Sequence, residues 1–105
     1  MRNNNLQEKI VKWLRLRICN LKMKEIKAWL IGSIANGKRS PNDCDLLLIA
    51  PLNEFEKIVE LIVPLKNDFR SQFRIPLHLT IISNEELEDC KEFLSKVFKT
   101  AIIRI

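Results

Sequence analysis

Only two of the 105 residues are glycine, and both fall inside WLIGSIANGKRSPNDCDLLLI, residues 29–49, as Gly32 and Gly37. Side chains resist backbone with positive φ, so reversals that need such backbone are expected first in this one stretch. Apolar runs flank it. Residues 26–31 are short and apolar and stop at Gly32, which predicts a strand followed by a turn. Residues 46–50 form an unbroken apolar run closed by Pro51, as expected of a strand covered on both faces. Between them SIANG predicts a single short helical turn, and Gly37 lets the chain reverse into the second strand.

The remaining elements follow from periodicity. Leu6, Ile10, Trp13, Leu14, Ile18 and Leu21 recur at helical spacing over residues 5–21, while Lys9, Lys12, Arg15 and Lys22 lie largely elsewhere on the same helix. Residues 1–22 thus read as a basic amphipathic helix. Asn53 is placed to cap a helix through Phe55, Ile58 and Ile62, and Pro64, lacking an N–H, is expected to end or kink it. Residues 65–73 would then be a second, broken piece. IPLHLTII, residues 75–82, reads as a third strand. Ser83 and Glu86 form a capping box for a helix toward Phe98, and residues 101–105 suit a short edge strand. Helices alternate with strands throughout. The class is therefore α/β, a small sheet flanked by helices.

At 105 residues the chain suits a single domain. The formal charge of +5 is unevenly spread: residues 1–30 hold eight Lys/Arg against two Glu, and the rest ten against eleven acids. A basic N-terminal segment suits phosphates, nucleic acid or an acidic partner. No apolar run reaches the roughly 18 residues of a membrane span, and no signal-peptide core is visible. Cys19, Cys44 and Cys90 are odd in number and lack C-x-x-C spacing. They predict buried or half-buried free thiols and a reducing, cytoplasmic setting.

The central stretch also carries chemistry. Gly32 at a strand end frees the following peptide N–H groups, and a helix start aims them at one spot, a place for phosphate oxygens with the Ser33 hydroxyl as a further donor. Gly37, Lys38 and Arg39 stand at the reversal, where the cations add positive charge. Asp43 and Asp45, two apart on a strand, share a face and can hold a hard divalent cation, Mg2+ or Mn2+, that bridges to substrate phosphates. A phosphate cradle beside a carboxylate pair is what phosphoryl or nucleotidyl transfer requires.

This order, Gly32-Ser33, nine residues, then Asp43-Cys44-Asp45 and three leucines, resembles the nucleotidyltransferase superfamily that includes DNA polymerase beta. The nearest look is to the minimal nucleotidyltransferases, small proteins often encoded beside a HEPN protein. The resemblance covers about residues 25–82 and implies a polymerase beta palm-like fold. It implies nucleotide phosphates at Gly32 and Ser33, and two Mg2+ ions on Asp43 and Asp45. Many members have ten residues where this chain has nine. The family's third carboxylate stands mid-strand, and in IPLHLTII His78 takes that place, with Thr80 on the same face. An imidazole can accept a hydroxyl proton or ligate a metal, although Mg2+ prefers oxygen. Asp43, Asp45 and His78 are the candidate catalytic group. Glu85 and Glu86 read as helix-start residues.

Three functions follow as expectations. The first is Mg2+-dependent transfer of a nucleoside monophosphate from an NTP, ATP foremost, to a hydroxyl of a protein such as a HEPN-type toxin partner, or of an RNA. The second is a catalytically idle member that works as an antitoxin or binding subunit, since His78 brings no negative charge. The third is nucleic-acid binding through the basic first helix. The acceptor and the oligomeric state are not written in the sequence.

Overall fold

The computed structural model describes residues 5–20, 25–38 and 41–105. Leu21, Lys22 and Arg39, each given a place above, lie outside the described residues. The first helix, α1 (Asn5–Asn20), leads to strand β1 (Lys27–Ile31), the one-turn helix α2 (Gly32–Ala35) and strand β2 (Cys44–Ala50). Then come α3 (Phe55–Phe73), β3 (Leu77–Ser83), α4 (Lys91–Phe98) and the two-residue β4 (Ile103–Arg104). The alternation read from periodicity is present, including the final strand.

Among the described residues the strands make one mixed sheet in the order β3-β2-β1-β4. Strand β1 runs antiparallel to β2 and to β4, and β2 runs parallel to β3. A parallel neighbour needs a long crossover, and α3 supplies it. The architecture is a small α/β domain with helices on a four-stranded mixed sheet.

Side-chain alternation divides the strands between two cores. Cys44, Leu46, Leu48 and Ala50 of β2, with Ala28 and Leu30 of β1 and Leu77 of β3, pack beneath Ile10 and Leu14 of α1 and Ile58, Leu65 and Phe69 of α3. Trp13 meets Phe69 and Phe73 edge-on, with ring centroids 5.5 and 5.8 Å apart. Phe69 is fully buried, so truncation to Ala would cost about 3–5 kcal/mol. On the opposite face Leu47, Ile49 and Ile82 pack with Leu94 of α4, beside Trp29 and Ile31. Burial on both faces explains the uninterrupted apolar run of β2.

Three local expectations are corrected. Asn53 does not cap α3: residues Leu52–Glu54 form a 3-10 turn that leads into the helix, and its N-cap, Glu54, makes no side-chain cap bond. Pro64 does not divide the helix, which runs unbroken for 19 residues. Proline removes one hydrogen bond and crowds the preceding turn, but Ile58, Leu65 and Phe69 on both sides of it are anchored in the same core, and that burial outweighs a local defect. The helix ends at Arg74, whose φ of 66° makes it the one non-glycine residue described in the left-handed region. Both halves of the Ser83–Glu86 capping box form, but they close a 3-10 turn (Asn84–Glu86), with α4 starting only at Lys91. Hydrogen bonding by Ser83, its backbone N–H first and its side chain next, holds the Glu86 carboxyl below its usual range.

Candidate active site

The end of the sheet where β1 stops and β2 and β3 begin gathers most of the residues singled out above. Ile31, Asp45 and His78 are register neighbours across three adjacent strands. Asp45 shares its face with Leu47 and Ile49, yet α4 covers those two and leaves Asp45 half-buried and His78 exposed. The row therefore opens to solvent beyond the part of the face that α4 covers. Cys44, between the two aspartates, points the other way into the core. Burial first, then the nearby charges of Asp45 and Asp43, push its thiol up to about 12.

Gly32 follows Ile31 directly and has φ +75°. A Cβ placed on it would lie 2.6 Å from Oδ2 of Asp45 and 3.4 Å from its Cγ. The missing side chain thus does two things: it permits the left-handed backbone, and it leaves room for the Asp45 carboxylate against the first turn of α2. The turn itself is well tied. The Gly32 carbonyl accepts from the Asn36 backbone N–H at 3.0 Å and from its side-chain amide at 2.9 Å. Lys38 N–H donates to Ser33 O at 3.0 Å, and Gly37, with φ +79°, donates to Ile34 O at 2.9 Å. Lys38 is exposed at the reversal.

Asp43 completes the group. Its Oδ2 lies 3.7 Å from Nε2 of His78, an ion pair when the imidazole is protonated. The Asp45 carboxyl sits above its usual range, chiefly because it is partly desolvated and further because of the Asp43 charge, while His78 pulls it down. Two carboxylates that repel each other beside a half-buried backbone turn suit a divalent cation, which would relieve both the repulsion and the desolvation. The donor set fits a hard ion carried by two carboxylates, with water and substrate oxygens completing its shell. Among the described residues no group of three or more His, Cys, Asp or Glu side chains is arranged to enclose a metal by itself.

Two supports were not anticipated from sequence. Gln7 of α1 donates through Nε2 to the carbonyls of Ile34 at 2.8 Å and Ala35 at 3.2 Å, closing the far end of α2 from 27 residues away. Its only sequence signal is an amide beside the apolar stripe of α1. The Pro76 carbonyl accepts from Cys44 N–H at 2.9 Å and fixes the level at which β3 meets the aspartates.

The basic first helix stands apart from this group. Lys9 and Lys12 are exposed, but Arg15 donates to the Arg104 carbonyl at 2.9 Å. Arg17 is held by Asp68 at 2.7 Å and lies 4.6 Å over the Trp13 ring. Half the cations of the helix therefore serve packing. Cys19 is exposed, against the expectation of burial, while Cys44 is buried and Cys90 half-buried. Among the described residues no helix is long and apolar enough to cross a membrane.

No protein-family model matches the chain, and no curated protein or solved structure matches it.

Proposed function

We propose that the chain is a nucleotidyltransferase-fold protein, palm-like in the polymerase beta sense, that binds an NTP with a divalent cation at the Gly32–Asp45 junction. The observation carrying this reading is the seating of the Asp45 carboxylate where a Gly32 side chain would be, with Asp43 against His78, the sheet neighbour of Asp45. A phosphate-facing turn and a cation-binding pair are then one structure and not two separate motifs. Asp43 and Asp45 would hold Mg2+ or Mn2+, which supplies charge neutralisation for phosphates and for the transfer of a nucleoside monophosphate to an acceptor hydroxyl. The peptide N–H groups after Gly32 and the Ser33 hydroxyl donate to phosphate oxygens, and Lys38 adds a cation at the rim. His78, neighbour to Asp45 and 3.7 Å from Asp43, is positioned to accept a proton from an incoming hydroxyl. The acceptor classes are a protein side chain, such as one on a HEPN-type partner, or an RNA end.

The test is incubation of the protein with each labelled NTP, Mg2+ or Mn2+, and candidate protein and RNA acceptors. Transfer that Asp45→Asn abolishes supports the reading. Absence of transfer from every NTP, together with absence of NTP binding, overturns it.

One observation favours a second reading. The sheet neighbour of Asp45 is an imidazole, where the resemblance places a third carboxylate. In that reading the chain binds a nucleotide or a partner without turnover. His78→Asp would then gain transfer that the natural chain lacks, and transfer by the natural chain would exclude it.

A further inference from the structure

We propose that the chain assembles with a second copy of itself along β3 and α3, making one continuous sheet with a two-fold axis beside Thr80.

The strand edge is the first observation. Among the described residues β3 lies at the end of the sheet and pairs only with β2, so one row of its peptide groups faces solvent or a partner. Natural edge strands are shielded from such pairing by charges, prolines, bulges or brevity. LHLTIIS runs seven residues with no Lys, Arg, Asp, Glu or Pro. It is also self-complementary. An antiparallel pairing centred on Thr80 sets Thr80 opposite Thr80, Leu79 opposite Ile81 and His78 opposite Ile82. Leu79 and Ile81, half-buried at the rim of the larger core, would then meet the same pair of the second copy, continuing that core across the axis.

The helix above is an independent observation. The buried line of α3 is Ile58, Leu65 and Phe69. At about 100° per residue, Asp68 falls on one flank of that line and Val59 and Val63 fall on the other. Asp68 binds Arg17 of α1, so its flank faces inward, and the two valines turn away from α1 toward the β3 side. They are 60% and 62% exposed. Glu56 and Lys66 lie on the same flank, both exposed. An antiparallel α3 pair centred on residue 61 sets Val59 against Val63 and Glu56 against Lys66, apolar on apolar and acid on base.

The two axes coincide. Leu79 of β3 and Leu46 and Leu48 of β2 line one apolar cavity with Leu61 and Ile62, so the middle of α3 stands over β2 and the middle of β3. A helix seated about half a strand spacing inside an edge strand that pairs with its copy at about 4.8 Å comes to roughly 10 Å from the copied helix, the distance at which helices pack. The His78 side of each nucleotide site would lie beside Ile82 of the second copy.

Sedimentation equilibrium of the full chain over a concentration series tests this. The expected result is a dimer. Val63→Glu should weaken it at least tenfold with an unchanged circular dichroism spectrum. Glu56→Lys should also weaken it, and Glu56→Lys with Lys66→Glu should restore it. In a Cys19→Ser background, Thr80→Cys should cross-link to its own copy on mild oxidation, while Ser71→Cys, on the opposite flank of α3, should not. A monomer at every concentration overturns the proposal. So does a dimer that Val63→Glu and Glu56→Lys leave intact and that Thr80→Cys fails to cross-link.

Discussion

At the scale of single residues, Gly32 carries the most consequence. Its φ of +75° costs an alanine about 1–2 kcal/mol, and the added Cβ would press on the Asp45 carboxylate 2.6 Å away. Gly32→Ala should therefore destabilise by more than the backbone cost, and the excess should vanish when Asp45→Ala removes the carboxylate. A double-mutant cycle in urea measures that coupling, and additive effects would separate the two residues. Asp45 gives a second prediction. Its pKa is raised in the folded state, so the unfolded chain binds fewer protons as pH rises past the ordinary value of 3.8. The folded state is penalised at and above its own raised pKa and carries no penalty below 3.8. Asp45→Asn should accordingly raise Tm at neutral pH, and the gain should fade on acidification. A thermal melt series in metal-free buffer checks this. Alkylation of the unreacted thiols should be fast at exposed Cys19 and slow at Cys44, whose pKa of about 12 leaves little thiolate at neutral pH.

At the scale of elements, α3 shows where sequence reading met its limit. Local rules gave Asn53 a cap and Pro64 a break, because both describe what isolated backbone prefers. The helix runs through Pro64 because its apolar positions before and after the proline fit one surface of the sheet, a fact held in residues distant along the chain. Proline in a helix interior costs about 3 kcal/mol relative to alanine, and Pro64 is exposed, so nothing packs against it that alanine would lose. Pro64→Ala should raise the unfolding free energy by up to that amount, read as a higher urea midpoint at unchanged slope. No gain would mean that the surrounding turns already absorb the defect. The strands were more legible. Two-sided burial of β2 and the stop at Gly32 are both written locally, in an apolar run and in a scarcity of glycine.

At the scale of the whole molecule, strand order decides what the motifs can do. Asp43 and Asp45 are close in sequence, but β2 begins only at Cys44, so Asp43 stands just before the strand whose alternation sets the face of Asp45. That His78 enters the same row, and that Gly32 rather than Gly37 meets Asp45, depends on β1 and β3 flanking β2. No local pattern states that arrangement. Gln7 bracing α2 is equally non-local. The central claim, that the Gly32 turn and the aspartate pair form one cation-assisted phosphate site, is tested most directly by calorimetric titration of the intact chain with ATP in the presence and absence of Mg2+ or Mn2+. The account predicts saturable binding that requires the cation and that Asp43→Asn with Asp45→Asn removes, in a variant still folded by circular dichroism. Binding that persists in that variant, or that is the same without the cation, would contradict it.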